Sequence, residues 1–350
     1  MAALGFIEIS GSPREAGEAL GRFGAHAVRA NLLKTPAWQT IMQWRGSDTS
    51  KAMAALVRER FPRVWDELEG LAIGLGLPFE DVFLWNCRGD LWAMSPDGCT
   101  TVQIPGVDTR RISHNEDGLP CFSGHCAIAE CKLEGSAGFA AFVYPASLPG
   151  HTFAVTNGGL AVTVNNLRQR EVVVGVPRMV LTRAMLDTGD LDEAVSIVRD
   201  NPRAGGFHLT LGACSSPALL SVEFSAHDCS VTEVVVPSLH ANHAIHPSMH
   251  GFSQIITDSS RHRQARGDTM LATGEPVDPL AILADRQDAA LPIHRLDPND
   301  PDDENTLATA DMTIRASHIE WKVHEYPGQP ARYRMINGHR QSEGASLQRD

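Results

Sequence analysis

The sequence predicts an α+β fold, a layered sandwich with mainly antiparallel sheets. Three observations carry this expectation. The first third reads as helices, the pattern switches to short strands near residue 98, and two helices then interrupt the strands before they resume. Strands in blocks separated by helices build antiparallel layers, whereas strict strand–helix alternation builds a parallel sheet. Thirty Gly and twenty-one Pro in 350 residues supply the turns that such strands need. The sequence shows no internal repeat and no phosphate-cradling glycine motif.

Taken in order, residues 4–9 read as a strand. Ser12-Pro13 then gives an N-cap and a first-turn proline. The helix that follows carries Ala16, Leu20, Phe23 and Ala27 at three- and four-residue spacing, one apolar face. Further helices are expected over 52–60, from Pro62 with Val64, Leu68, Leu71 and Leu75 on one side, and over 80–94. Strands are expected over 99–104, 110–115, 125–133, 139–144, 152–156 and 160–164, short runs broken by Gly, Pro and Asn. Helices over 178–187 and 191–199 come next, then strands at 207–211, 219–224 and 231–236. A helix over 258–272, an acidic Pro-rich loop over 296–304 and closing strands at 307–314, 318–325 and 333–336 complete the chain. Residues 344–350 read as a frayed tail.

A net charge of −12 disfavours nucleic-acid or anionic-membrane partners, which select basic surfaces. The short basic cluster Arg261-His262-Arg263 with Arg266 reads as a solvated helix face. The first ten residues lack a secretion signal, no stretch is long enough to span a membrane, and seven cysteines, an odd number, do not suggest a disulfide framework. A cytoplasmic location is expected.

The chemistry concentrates at Asp97-Gly98-Cys99-Thr100-Thr101, on the boundary between helices and strands. Glycine before cysteine offers an unhindered carbonyl and tolerates a tight turn. Attack of the Cys99 thiol on the Gly98 carbonyl followed by hydrolysis would leave Cys99 as a new N-terminus. An α-amine ordinarily titrates at about 7.7–8.0, which suits a general base near neutral pH. Nucleophile and base then share one residue. The pentapeptide alone favours the plainer reading of a buried cysteine opening a strand.

The surrounding pattern resembles the penicillin acyltransferase (acyl-CoA:6-aminopenicillanic acid acyltransferase-like) family of cysteine N-terminal-nucleophile, or Ntn, hydrolases. Gly11-Ser12-Pro13-Arg14-Glu15-Ala16-Gly17 with Gly21 is similar to the family's opening segment. Glu67-Leu68-Glu69-Gly70-Leu71-Ala72, Gly74-Leu75 and Asn86 resemble its pro-segment helices, and Gly98-Cys99-Thr100 its cleavage motif. Asn115-Glu116-Asp117, the run from Leu160 to Asn165, Asn242-His243 and Asn305-Thr306-Leu307 follow in the family's order.

The resemblance implies an αββα four-layer Ntn sandwich with a helical N-terminal pro-segment. Residues 1–98 would be the pro-segment or small chain and 99–350 the catalytic large chain, in one structural domain. It implies Cys99 as nucleophile and freed base, Asn242 as oxyanion donor, and Asp117 as the residue that orients the amine or assists the cut. One departure stands out. The family's best-known member has an arginine just before its Ser-Thr-Leu, where this chain reads Asp302-Asp303-Glu304, which puts that arginine's role and the same substrate in doubt here.

Without the resemblance, Asp117 reads as a turn residue and Asn242 as a loop residue. Asn115, Thr163 and Asn165 either line the pocket or satisfy buried backbone groups. Glu116 would place negative charge near the pocket and favour a cationic amine. His240, His243, His246 and His250, and Cys121, Cys126 and Cys131, lack a zinc-type spacing, so no metal and no cofactor is expected.

The function expected is hydrolysis of a small N-acylated compound through a Cys99 thioester, with the cleaved 1–98 segment as the chain's own partner. The alternatives are transfer of an acyl group from a CoA thioester or amide to an amine, and a non-catalytic binding protein on the same fold.

Overall fold

The computed structural model describes residues 4–272 and 278–342. The N-terminal part holds strand β1 (Gly5–Gly11) and helices α1 (Pro13–Ala30), α2 (Pro36–Met42), α3 (Asp48–Arg60), α4 (Pro62–Leu75), α5 (Phe79–Asn86) and α6 (Arg88–Leu91). Then follow β2 (Asp97–Ile104), β3 (Arg110–Gly118), β4 (Ala127–Leu133), β5 (Phe139–Val143), β6 (Phe153–Thr156) and β7 (Leu160–Leu167). Helices α7 (Arg178–Met185) and α8 (Leu191–Arg199) precede β8 (Gly206–Ala213), β9 (Leu219–Phe224), β10 (Cys229–Glu233) and β11 (Ser238–His240). The chain continues through α9 (Asp258–Leu271), α10 (Pro279–Leu283), β12 (Asn305–Ile314), β13 (Ile319–His324), β14 (Tyr333–Ile336) and β15 (His339–Arg340).

Among the described residues the strands form two sheets, in the orders β1-β4-β5-β6-β7-β8-β9-β10 and β11-β2-β3-β12-β13-β14-β15. They face each other across a core in which Thr101 and Gln103 of β2 bond to Asn165 of β7 and Thr210 of β8. Helices α1 and α8 cover the outer face of the eight-stranded sheet, and α9 and α10 that of the other. The result is the expected α+β sandwich of four layers, αββα, with antiparallel pairing everywhere except β1, which runs parallel to β4.

Local chemistry explains the first helix. The Ser12 hydroxyl accepts the Glu15 N–H, and the Glu15 carboxylate accepts the Ser12 N–H, a capping box that satisfies donors on both sides of the start. α1 crosses α4 backbone to backbone. A Cβ on Gly17 would lie 2.0 Å from the Glu67 carbonyl, and one on Gly70 would lie 1.9 Å from that of Arg14. Only glycine permits this approach, which accounts physically for the glycines of both N-terminal motifs.

Several boundaries differ from the sequence expectation. The helix expected over 80–94 breaks at Cys87 into α5 and α6, while α2, β11, α10 and β15 were not anticipated. The tail at 344–350 lies outside the described residues.

Candidate active site

Strand β2 begins at Asp97, so Gly98 and Cys99 lie within a ladder, opposite Asp117 and Glu116 of β3. Directly opposed residues share a face and successive residues alternate. Cys99, Thr101, His114 and Glu116 therefore point between the sheets. Asn115 and Asp117 point to the helical side, where Asn115 donates to the Leu283 carbonyl of α10 (2.8 Å) and accepts from Thr309 (2.6 Å).

Across the core, β6 pairs with β7 only as far as Phe153–Thr163. Just beyond that point the Cys99 thiol donates to the Val164 carbonyl (3.1 Å), and the backbone N–H of Asn166 is directed at the sulfur. Asn242 completes the contact. Its Oδ1 accepts the Cys99 N–H (3.1 Å), while its Nδ2 lies 3.6 Å from Cys99 Sγ and donates to the Asn166 carbonyl (3.3 Å). The Cys99 thiol, the Cys99 backbone nitrogen and the Asn242 amide thus touch one another. Burial, with the carboxyls of Glu116 and Asp117 nearby, raises the thiol well above its usual pKa in the uncut chain.

Arg263 is a residue the sequence reading placed wrongly. Its neighbours Arg261 and Arg266 are partly exposed, but Arg263 is buried. It donates to the Cys99 carbonyl, the Thr100 hydroxyl and Asn242 Oδ1, each at 2.7 Å. It fixes both the backbone of Cys99 and the orientation of the Asn242 amide.

Glu116 also departs from expectation. Tyr144 donates to its Oε1 (2.5 Å), and His114 Nε2 lies 3.0 Å from its Oε2. The single Thr101 proton goes to Asn165 Oδ1 (2.7 Å), so His114 Nδ1 is the donor toward Thr101 (2.8 Å). With His114 neutral, its Nε2 accepts, and the proton in that contact is carried by Glu116. Burial raises Glu116 well above the carboxylate range and lowers His114 to about 3. Burial thus favours the protonated form of Glu116, against the negative charge expected to attract a cationic amine.

Asn165 also bonds to the His240 carbonyl (3.1 Å), and Thr163 is buried with its hydroxyl unpartnered. Both face the core between the sheets near Cys99. Among the described residues, Cys99, His114 and Glu116 bring ligand atoms within 4.8 Å of one another, the group best placed to hold a metal. Of the histidines after residue 239, His240 (2.8 Å) and His246 (3.9 Å) lie against Glu223, and His243 bonds with Ser260 (2.8 Å).

Asp117 accepts from Thr306 (2.7 Å) through Oδ1, and its buried Oδ2 has no partner. Burial lifts its pKa to about 6, against the opposing pull of Arg295 and Arg263. Folding thus favours its protonated form, so its unfavourable contribution is absent below about 4, grows between about 4 and 6 and is fully present above about 6. The rise from 3.8 to about 6 corresponds to at most roughly 3 kcal/mol. In an uncut Cys99→Ala background, Asp117→Asn should raise Tm by several degrees at pH 8 and give no gain at pH 4. An equal difference at both pH values would refute this reading.

The acidic stretch in place of the family arginine is itself paired with arginines. Glu304 accepts from Arg168 (2.6 Å) through Oε1 and from Arg295 through Oε2, and all three side chains are buried. Asp97, on the other side of Gly98, is held by Arg88 (2.6 Å) and Ser95 (2.8 Å). Burial pushes the Asp97 pKa upward, but Arg88's charge and hydrogen bonds hold it below the carboxylate range.

The family model described as acyl-coenzyme A:6-aminopenicillanic acid acyl-transferase matches residues 106–330. Beta-alanyl-dopamine/carcinine hydrolase of Drosophila melanogaster is 26% identical over 223 residues, covering 57% of this chain and 58% of its own length. The chain thus spans less than two thirds of that relative. The solved structure of penicillin V acylase from Agrobacterium tumefaciens overlaps 64% of this chain and 82% of its own, at 13% identity and a TM-score of 0.34. The fold assignment rests on the two sheets themselves rather than on that loose overlap. With the family model covering well over half of its residues, this chain belongs to the acyl-coenzyme A:6-aminopenicillanic acid acyl-transferase family.

Proposed function

We propose that the chain is a precursor that cuts itself between Gly98 and Cys99 and then hydrolyses the amide bond of a small N-acylated amine. One observation carries this reading: the Cys99 thiol, the Cys99 nitrogen and the Asn242 amide are in mutual contact.

In the cut, Cys99 Sγ bonds to the Gly98 carbonyl carbon as the Gly98–Cys99 C–N bond breaks. The thiol proton goes to the departing nitrogen, which becomes the Cys99 α-amine. Water then adds to the thioester, releasing the Gly98 carboxylate and restoring the thiol. In turnover the Cys99 α-amine takes the thiol proton and becomes the α-ammonium as the sulfur attacks the substrate carbonyl, and the oxyanion is met by Asn242 Nδ2 and the Asn166 N–H. The α-ammonium protonates the leaving amine, and the α-amine then activates the water that hydrolyses the thioester. Asp117, with an unpartnered buried oxygen beside Gly98, orients that amine.

The fruit-fly relative, a beta-alanyl-dopamine/carcinine hydrolase by name, supports the substrate class. The family description names a transferase, so an added amine competing with water is the acceptor to test. The 1–98 segment would stay bound after the cut, since β1 is hydrogen-bonded along β4 of the large chain. Seven free thiols favour the cytoplasm, and no helix among the described residues is long and apolar enough to cross a membrane.

Intact mass under denaturing conditions tests the reading. The purified protein should give fragments 1–98 and 99–350 that co-elute under native conditions. An active preparation showing only the full-length mass would overturn it.

A further inference from the structure

The self-cutting reaction fixes where an acyl group must sit to be attacked, because the Gly98 carbonyl is that acyl group. What surrounds the Gly98 α-carbon therefore defines which acyl groups fit. A Cβ built there would fall 2.1 Å from Glu304 Oε2 and 3.1 Å from Arg295 Nη1. A carboxylate at the end of a flexible side chain usually swings aside, but this one is clamped. Arg168 holds one oxygen and Arg295 the other. Arg168 is tied in turn to the Ser95 carbonyl (2.8 Å) and Arg295 to Asp300 (2.9 Å). Glu304 is 1% exposed, so it has no solvent to move into.

We propose that Glu304 is the specificity-determining residue of the acyl side. It admits acyl groups whose α-carbon carries no L-configured branch, such as glycyl and straight-chain acyl groups, and rejects α-branched ones such as L-alanyl. The proposal rests on the self-cutting reading, which makes Gly98 a template for the later substrate. Glu304, Arg168 and Arg295 all lie in the 99–350 portion, so the gate persists after the cut. It also assigns a second reason for glycine at position 98, in addition to an unhindered carbonyl.

Two measurements test it. In the precursor, Gly98→Ala should slow the cut by about 100-fold or more, the scale of loss that an ångström of misplacement causes. Adding Glu304→Asp retracts the carboxylate by about one C–C bond, ~1.5 Å, keeps its charge for both arginines and should restore the cut. In mature wild-type protein, the glycyl amide of a chosen amine should have kcat/KM about 100-fold or more above that of the L-alanyl amide. Glu304→Asp should narrow that ratio. The wild-type comparison needs no variant that might fail to fold. Cutting of Gly98→Ala at the wild-type rate, or equal turnover of the two amides, overturns the gate. A wild-type chain that never cuts overturns the precursor reading instead.

Discussion

Cys99→Ala yields an intact 350-residue chain with no turnover, the largest effect expected of any single substitution. In the proposed mechanism the same sulfur is required twice, first on the Gly98 carbonyl and then on the substrate. Losing the first step also withholds the α-amine needed for the second. Removing a nucleophile outright costs on the order of 10⁶ in kcat, and here the base is lost with it. The fold should survive, because alanine keeps the strand geometry and the Cys99 N–H bond to Asn242 Oδ1 is a backbone contact. Cys214 and Cys229 are half-buried thiols away from Asn242, and either changed to alanine should keep its activity. Mass, circular dichroism and turnover on the three variants separate the outcomes. A Cys99→Ala chain that still cuts or still turns over would refute the mechanism.

How much of this was legible in the sequence follows from where each signal is stored. Helix α1 was readable because its cap, its first-turn proline and its apolar stripe all lie within the helix. Strands β2 to β7 were readable for the same reason, each being a short run fenced by turn residues. Helix α10 is five residues long and β11 only three. They carry too few residues to show a period and exist because tertiary contacts hold them. That β1 pairs with β4 across more than a hundred residues is a property of the packed sheet.

Arg263 shows a subtler limit. The buried stripe of α9 is Ser260, Arg263, Gln264 and Gly267, at helical spacing but without a single apolar side chain. A reading that looks for apolar periodicity sees only a charged helix there. The cage around Glu304 is likewise invisible, because Arg168 and Arg295 stand 136 and nine positions away and converge on it only through the fold. Cys99, Asp117 and Asn242 were named because they matched a family pattern. The structure adds what that pattern does not contain: Cys99 and Asn242 touch, Asp117 lies on the opposite face of β3, and Glu116 lies 3.0 Å from His114.

Asn242→Ala should lower kcat by about 10²–10³, or roughly 2.7–4 kcal/mol, with KM changed far less. The reason is geometric. Nδ2 is already within 3.6 Å of the sulfur before any substrate is bound, held by its bond to the Asn166 carbonyl. Arg263 fixes the opposite end of the amide at 2.7 Å, so the N–H cannot rotate away. A donor fixed this firmly stabilises the charge that develops on the oxygen without reorganising, and that contact strengthens chiefly in the transition state. The substitution has a second effect that must be separated from the first. Removing Oδ1 leaves Arg263 Nη2 buried without its acceptor, a penalty of about 1–3 kcal/mol in stability. Tm should therefore fall together with kcat, and kcat must be normalised to folded, cut molecules counted from the 99–350 fragment. A lowered Tm with near-normal normalised kcat would make Asn242 a packing residue and remove it from the catalytic set. A loss of about 10² or more in normalised kcat at nearly constant KM is the result that places its amide on the oxyanion.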